Sequence, residues 1–176
     1  MNFGNLSIET HRFLLRPLVV ADASQEYLSW MRDDVAAQYI VAAASTQSLE
    51  SLERYIIEKT TKIDCLFLGI FHKKTGSHIG NIKYEPICFE HKEAVMGVLL
   101  GDATWRGKNV FTEIFLASQK WLSDTYSINT IRLGVERSNT AAIRAYEKAG
   151  FISCDDGQDT TSSSVTMTAN YIKDEA

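Results

Sequence analysis

The stretch Val95-Met96-Gly97-Val98-Leu99-Leu100, separated by four residues from Trp105-Arg106-Gly107-Lys108-Asn109-Val110-Phe111-Thr112-Glu113, decides the fold. Its first part is an apolar run that reads as a strand. After Asn109 the period changes, and Val110, Phe111, Ile114, Phe115, Trp121 and Leu122 recur at helical spacing. The whole is therefore a strand, a short polar loop with one glycine and two cations, and a helix beginning near Val110. A helix start leaves about four N–H groups unpaired and carries roughly half a positive charge, which suits a phosphate. Gly107 lets the backbone approach such a group, and Arg106 and Lys108 add full charges. An ordinary strand-to-helix turn with a solvated basic pair has the same composition. The loop alone leaves both readings open.

A second run, Ser138-Asn139-Thr140-Ala141-Ala142-Ile143-Arg144-Ala145-Tyr146-Glu147-Lys148-Ala149-Gly150-Phe151, reads as a short helix with both ends marked. Ser138 or Asn139 can cap its start, and Gly150 can take the left-handed conformation that ends it. Asn139, Ala142 and Tyr146 are spaced three and four apart and share one face. On these residues the sequence resembles the GNAT family of acetyl-CoA-dependent N-acetyltransferases, and within it the RimJ/RimL-like branch. The resemblance covers nearly the whole chain, but its specificity sits in the loop RGKNVFTE and the run NTAAIRAYEKAGF. The pattern N-x-x-A-x-x-x-Y-E-K-x-G-F is the more specific of the two.

With 176 residues and 45% hydrophobic content, the chain can bury a full core in one domain, taken as residues 1–176. Charged residues at 23% argue against long disorder, and a net charge of −4 argues against a general nucleic-acid binder. Cys65, Cys88 and Cys154 are odd in number and form no C-x-x-C pair. Buried free thiols are expected for Cys65 and Cys88, which sit among apolar neighbours. Four scattered His residues give no metal spacing. No apolar run approaches the ~18 residues of a membrane span and no signal peptide is visible, so a cytoplasmic protein with no membrane partner is expected.

Along the chain, Phe13–Leu18 is a strand stopped at Pro17, Ala21–Met31 a helix with Asp22 in its first turn, and Ser48 starts a helix running to about Thr61. Trp30 and Met31 read as packing residues. Asp33-Asp34 and Ala42–Gln47 are loop-like. Leu66–Phe71 and His78–Glu85 form a hairpin about the Lys73–Gly76 turn. After the central strand, loop and helix to about Thr125 come a strand at Ile128–Val135, the Asn139–Ala149 helix, and strands at Phe151–Cys154 and Val165–Ile172. The expected fold is α/β (α+β): one mixed, mostly antiparallel sheet of six to seven strands flanked by about four helices. The resemblance implies the acyl-CoA N-acyltransferase fold.

Acyl transfer from a thioester to an amine requires a held carrier, donors at the carbonyl oxygen, an amine that has lost a proton and an acid for the leaving sulfur. The resemblance implies a source for each. The strand carrying Val98, Leu99 and Leu100 would part from its neighbour at Ile131–Val135, and its free backbone groups would bind the pantetheine arm as an added strand does. A backbone N–H there would polarise the thioester oxygen, worth roughly 3 kcal/mol in other acyl-transfer sites. The diphosphate would rest on the amides of Arg106, Gly107, Lys108, Asn109, Val110, Phe111 and Thr112. Asn139, with Ala142 on the same helix face, would meet the pantetheine, and Tyr146 would protonate the sulfur. Packing on Phe151 is the other reading of Tyr146.

Glu85 is the first candidate for the base, with Asp102, Glu136 or an ordered water chain behind it. The cysteines lack an evident activating charge, so direct transfer in a ternary complex is expected. The chain departs from the family at Asn109, where a second glycine is usual, at Phe111, where a small residue is common, and at Thr104, where Gln or Arg is common. Asn tolerates positive φ, whereas Phe111 brings bulk towards the pantetheine. The resemblance implies acetyl-CoA as cosubstrate, no metal, and a peptide or small-molecule amine as acceptor. A protein N terminus of the ribosomal type, an aminosugar, a polyamine and an antibiotic all remain open. Asp33, Asp34 and Glu50 offer either attraction for a cationic acceptor or plain surface charge. A module that binds acyl-CoA without turnover is the alternative from another class, and phosphoryl transfer is disfavoured by the absent P-loop spacing. Either a monomer or a homodimer fits.

Overall fold

A computed structural model of the chain describes residues 3, 5–32, 48–154 and 162–172. Strands β1 (Ile8–Glu9) and β2 (Phe13–Pro17) lead into helices α1 (Gln25–Arg32) and α2 (Leu49–Thr61). Strands β3 (Leu66–His72), β4 (His78–Cys88) and β5 (Glu93–Leu100) form a meander, followed by α3 (Val110–Tyr126), β6 (Thr130–Glu136) and α4 (Thr140–Lys148). Strands β7 (Ile152–Ser153) and β8 (Ser164–Asn170) close one eight-stranded sheet in the order β1-β2-β3-β4-β5-β6-β8-β7. Every neighbouring pair is antiparallel except β5 with β6. The count exceeds the expected six or seven strands because the two-residue β1 is too short to leave a period in the sequence.

Period-two burial on β4 sorts the sheet's two faces. Ile82 and Tyr84 point to the side covered by α3, where the Tyr84 hydroxyl and Ser118 Oγ are 2.7 Å apart. Phe115 is fully buried in that layer with Phe13, Leu68, Leu122 and Ile131, and truncating it to Ala would cost about 3–5 kcal/mol. On the opposite face, Tyr27, Leu28, Leu52 and Ile56 from α1 and α2 bury against Phe67 and Phe71 of β3. Trp30 and Met31 are buried in the same layer, and Trp30 lies so tightly over Gly101 that no side chain fits there.

The helix expected over Ala21–Met31 is divided. Val20–Asp22 forms a single 3-10 turn, and α1 starts only after Ser24, whose Oγ accepts from Tyr27 N at 3.0 Å. Asp22 is withheld from the helix because Arg16 grips it at both oxygens, at 2.7 and 2.8 Å, while Val19 N donates to it at 2.8 Å. Helix α2 follows Ser48 as expected, with Ser48 and Ser51 capping one another. Asp33, Asp34 and Ala42–Gln47 lie outside the described residues.

Candidate active site

Strands β5 and β6 pair only at Glu93–Thr130, Ala94–Ile131 and Val95–Arg132. From Met96 to Leu100, β5 remains paired with β4 and, among the described residues, has no strand on its other side. The parting leaves an interior edge of unpaired backbone, and it includes Val98, Leu99 and Leu100. Beyond it, Asp102 accepts from Thr104 N at 2.9 Å and starts a 3-10 turn over Ala103–Trp105.

The loop then turns through two left-handed residues, Gly107 at φ 72 and Asn109 at φ 58. Asn109 thus adopts the conformation expected where the family pattern has glycine. At Gly107 the space around a Cβ is open, so conformation rather than crowding favours glycine there. As N-cap of α3, Asn109 makes no side-chain capping bond. The amides opening a helix of 17 residues therefore carry no side-chain cap, next to Arg106 and Lys108.

Arg12 and Glu113 hold this loop from behind. The Glu113 carboxylate accepts from Thr10 Oγ1 at 2.7 Å, Arg12 N at 2.8 Å and Arg12 Nε at 2.7 Å. Burial pushes the Glu113 carboxyl up, but the bonds from Thr10 and Arg12 outweigh it and hold it below the usual range. Arg12 Nη2 also donates to Lys108 O at 3.0 Å, which gives that carbonyl a partner, and Lys108 Nζ lies 5.4 Å from the Trp105 ring centre. Sequence reading missed this strap, whose partners are about 100 residues apart.

Helix α4 begins at Asn139, whose Oδ1 accepts from Ala142 N at 3.2 Å, leaving its amide NH2 for another acceptor. Gly150 ends the helix at φ 96, as expected. Tyr146 is half-buried, with its ring 4.9 Å from Phe111 and 5.8 Å from Phe151. Burial pushes its hydroxyl up to about 12, so it stays protonated at neutral pH. Phe111 packs on Phe115 at 5.5 Å and on Tyr146, so its ring belongs to the aromatic seam between α3 and α4.

Glu85 is placed unlike a base. Its carboxylate meets Lys62 Nζ at 2.7 Å, Lys83 Nζ at 2.8 Å and Lys59 Nζ at 2.9 Å. Burial favours its neutral form, but the three lysine hydrogen bonds win and bring the carboxyl down to about 2. A carboxylate so stabilised is a poor proton acceptor at neutral pH, which weighs against the role expected for it. Of the other candidates, Asp102 is engaged as a cap and Glu136 stands at the end of β6, where Ser163 Oγ donates to it at 3.4 Å. Burial pushes the Cys65 thiol up to about 12, away from a nucleophilic thiolate.

Among the described residues no cluster of three or more His, Cys, Asp or Glu is arranged to hold a metal ion. Among them, too, no helix is long and apolar enough to cross a membrane.

Solved structures share this fold. The ribosomal-protein-S5-alanine acetyltransferase of Vibrio fischeri superposes with a TM-score of 0.77 at 15% identity, covering 94% of this chain and 97% of its own. The PaiA N-acetyltransferase of Thermoplasma acidophilum, in complex with coenzyme A, does so at 0.68 and 24% identity, covering 90% and 99%. A variant of the spermidine N-acetyltransferase SpeG of Vibrio cholerae gives 0.68 at 16% identity, covering 89% and 94%. At these identities the likeness is one of fold. No curated protein sequence matches the chain. The model of the acetyltransferase (GNAT) domain, however, matches residues 12–152, a span containing the parted strands, the left-handed loop and Tyr146. By that match, the chain belongs to the GNAT acetyltransferase family.

Proposed function

We propose that the protein is a single-domain N-acetyltransferase that moves an acetyl group from acetyl-CoA directly to the primary amine of a peptide N terminus. The observation that carries this is the uncapped start of α3 lying beyond the free edge of β5. The amides from Arg106 to Thr112 would hold the diphosphate, and the backbone at Val98, Leu99 and Leu100 with the Asn139 amide would hold the pantetheine arm. Acetyl-CoA supplies the acetyl group as an activated thioester.

As the amine nitrogen bonds the acetyl carbon and the C–S bond breaks, Tyr146 gives its hydroxyl proton to the departing sulfur, and the proton released by the acylated nitrogen restores the hydroxyl by way of solvent. Its raised affinity keeps it charged with that proton up to alkaline pH. Glu85 stays ionised within its lysines, so the amine sheds its proton to solvent before attack rather than to this carboxylate. Cys65, buried and protonated, supports transfer without an acetyl-cysteine. The peptide acceptor agrees with the branch resemblance and with a fold shared by an enzyme named for a ribosomal protein.

A second reading, a module that binds coenzyme A without turnover, is favoured by the Phe111 ring set against Tyr146 at 4.9 Å. Labelled acetyl-CoA offered with peptides, aminosugars and polyamines tests both. Transfer fastest to peptides supports the proposal, whereas coenzyme binding with no transfer to any amine leaves only the module.

A further inference from the structure

Two glycines in the sheet have no reason in the fold. Gly97 of β5 and Gly134 of β6 are exposed, and a Cβ at either would meet nothing within 4 Å among the described residues. Neither has a positive φ, so a residue with a side chain could adopt the same backbone. Every other described glycine either turns through positive φ or would put its Cβ closer than 3.0 Å to a neighbouring atom. A strand interior loses stability at glycine, and its positions favour β-branched residues such as Thr or Val. Neither crowding nor conformation therefore accounts for this pair.

Placement does. The parallel pairing of β5 with β6 ends at Val95 and Arg132, and the next positions on that face of each strand are Gly97 and Gly134. Met96, Leu133 and Val135, which alternate with them, point into the core under α3. The two glycines thus flank the mouth of the wedge at one level, on the face turned away from α3. At the closed end of this face Arg132 is paired with Glu93 at 3.0 Å. At the open end, two residues past Gly134, the Glu136 carboxylate meets the Ser163 hydroxyl at 3.4 Å and, among the described residues, no cation. An acid there complements a protonated amine. Glycine inside a strand marks a place where another backbone comes close.

We infer that the main chain of the acceptor peptide crosses Gly97 and Gly134, its amine at the wedge and its first two residues lying flat on the open β5–β6 face. This rests on the acetyltransferase reading above and deepens it, because the missing side chains then set the preference for a polypeptide. A side chain at either position would stand in the path of a chain and spare a short amine.

The test uses acetyl-CoA with a hexapeptide beginning Ala-Ala and with glycinamide, which carries the reacting amine and almost no chain. In Gly134→Thr, kcat/KM for the hexapeptide should fall by about tenfold or more, and that for glycinamide by roughly fivefold less. Gly97→Thr should act in the same direction, and Gly134→Ala by a smaller factor. The coenzyme A Kd should hold, and the thermal midpoint should stay or rise, which a glycine required by the fold would not allow. A midpoint lowered in Gly134→Thr and Gly134→Ala alike overturns the inference. Equal losses for hexapeptide and glycinamide, or a hexapeptide turnover untouched by both Thr variants, overturn it too and leave the acetyltransferase intact. Coenzyme binding by the natural protein with no amine acetylated overturns the acetyltransferase reading and this inference with it.

Discussion

Helices α2 and α4 begin closed, and α3 begins open. At α2 the Ser48 hydroxyl accepts from Ser51 N at 3.1 Å, and at α4 the Asn139 side chain accepts from Ala142 N. At α3 the residue in the same position, Asn109, is of an equally good capping type but is turned left-handed and makes no such bond. A side-chain cap contributes about 1 kcal/mol, so leaving one unmade on the longest helix has a cost that the fold alone does not explain. The starts of α2 and α4 are capped by their own side chains. The start proposed to hold the diphosphate has no such cap, and Arg12 and Glu113 brace it.

The largest effect should come from closed helix α4, because the hydroxyl proposed as the acid rides on it. Tyr146→Phe should lower kcat by about one to three orders of magnitude with coenzyme A affinity nearly unchanged, read by steady-state thiol release and titration calorimetry. In the natural protein the loss of turnover tied to this proton should fall near pH 12 rather than 10, since burial raises the hydroxyl's affinity. Turnover equal to the natural protein's would remove Tyr146 from the acid role.

Gly107→Val acts on the open end. At φ 72 a β-branched side chain is strained, so the amides should misalign and the Kd for coenzyme A should rise by roughly tenfold or more. An unchanged Kd would mean that the diphosphate rests elsewhere.

Glu113→Ala removes the brace without touching the amides. It leaves three donors without their acceptor, and a loss of about 1–3 kcal/mol in chemical denaturation should accompany a several-fold weaker coenzyme Kd. A stability loss with normal affinity would make the strap purely structural.

The smallest pair compares the two kinds of helix start directly. Ser48→Ala should cost about 1 kcal/mol and leave coenzyme affinity alone. Asn109→Gly, which relieves a left-handed Asn, should be neutral or stabilising by a few tenths of a kcal/mol. If Asn109→Gly instead destabilised the protein as strongly as Ser48→Ala, the distinction between open and closed starts would fail.

Much of this was legible because it is local. The left-handed turn at Asn109, the cap at Ser48, the stop at Gly150 and the buried faces of α2 and α3 follow from residue type and spacing within a few positions. What escaped reading joins distant parts of the chain. Glu85 looked like a base at a strand end, and only the folding of Lys59 and Lys62 onto Lys83 shows why its proton affinity is so low. Asp22 looked like a first-turn acid until Arg16 drew it away. Arg12 and Glu113 carried no signal, since neither belongs to a motif that names the other.

The parting of β5 from β6 has a consequence for what can enter. A strand edge on the rim of a sheet is open to any extended chain, including another protein's, and is a hazard for that reason. This edge is walled by β6 and narrows to full contact at Val95 and Arg132. In the proposed reading, the rungs it offers inside a closing wedge would meet the slim, flexible tether of the coenzyme rather than another protein's strand.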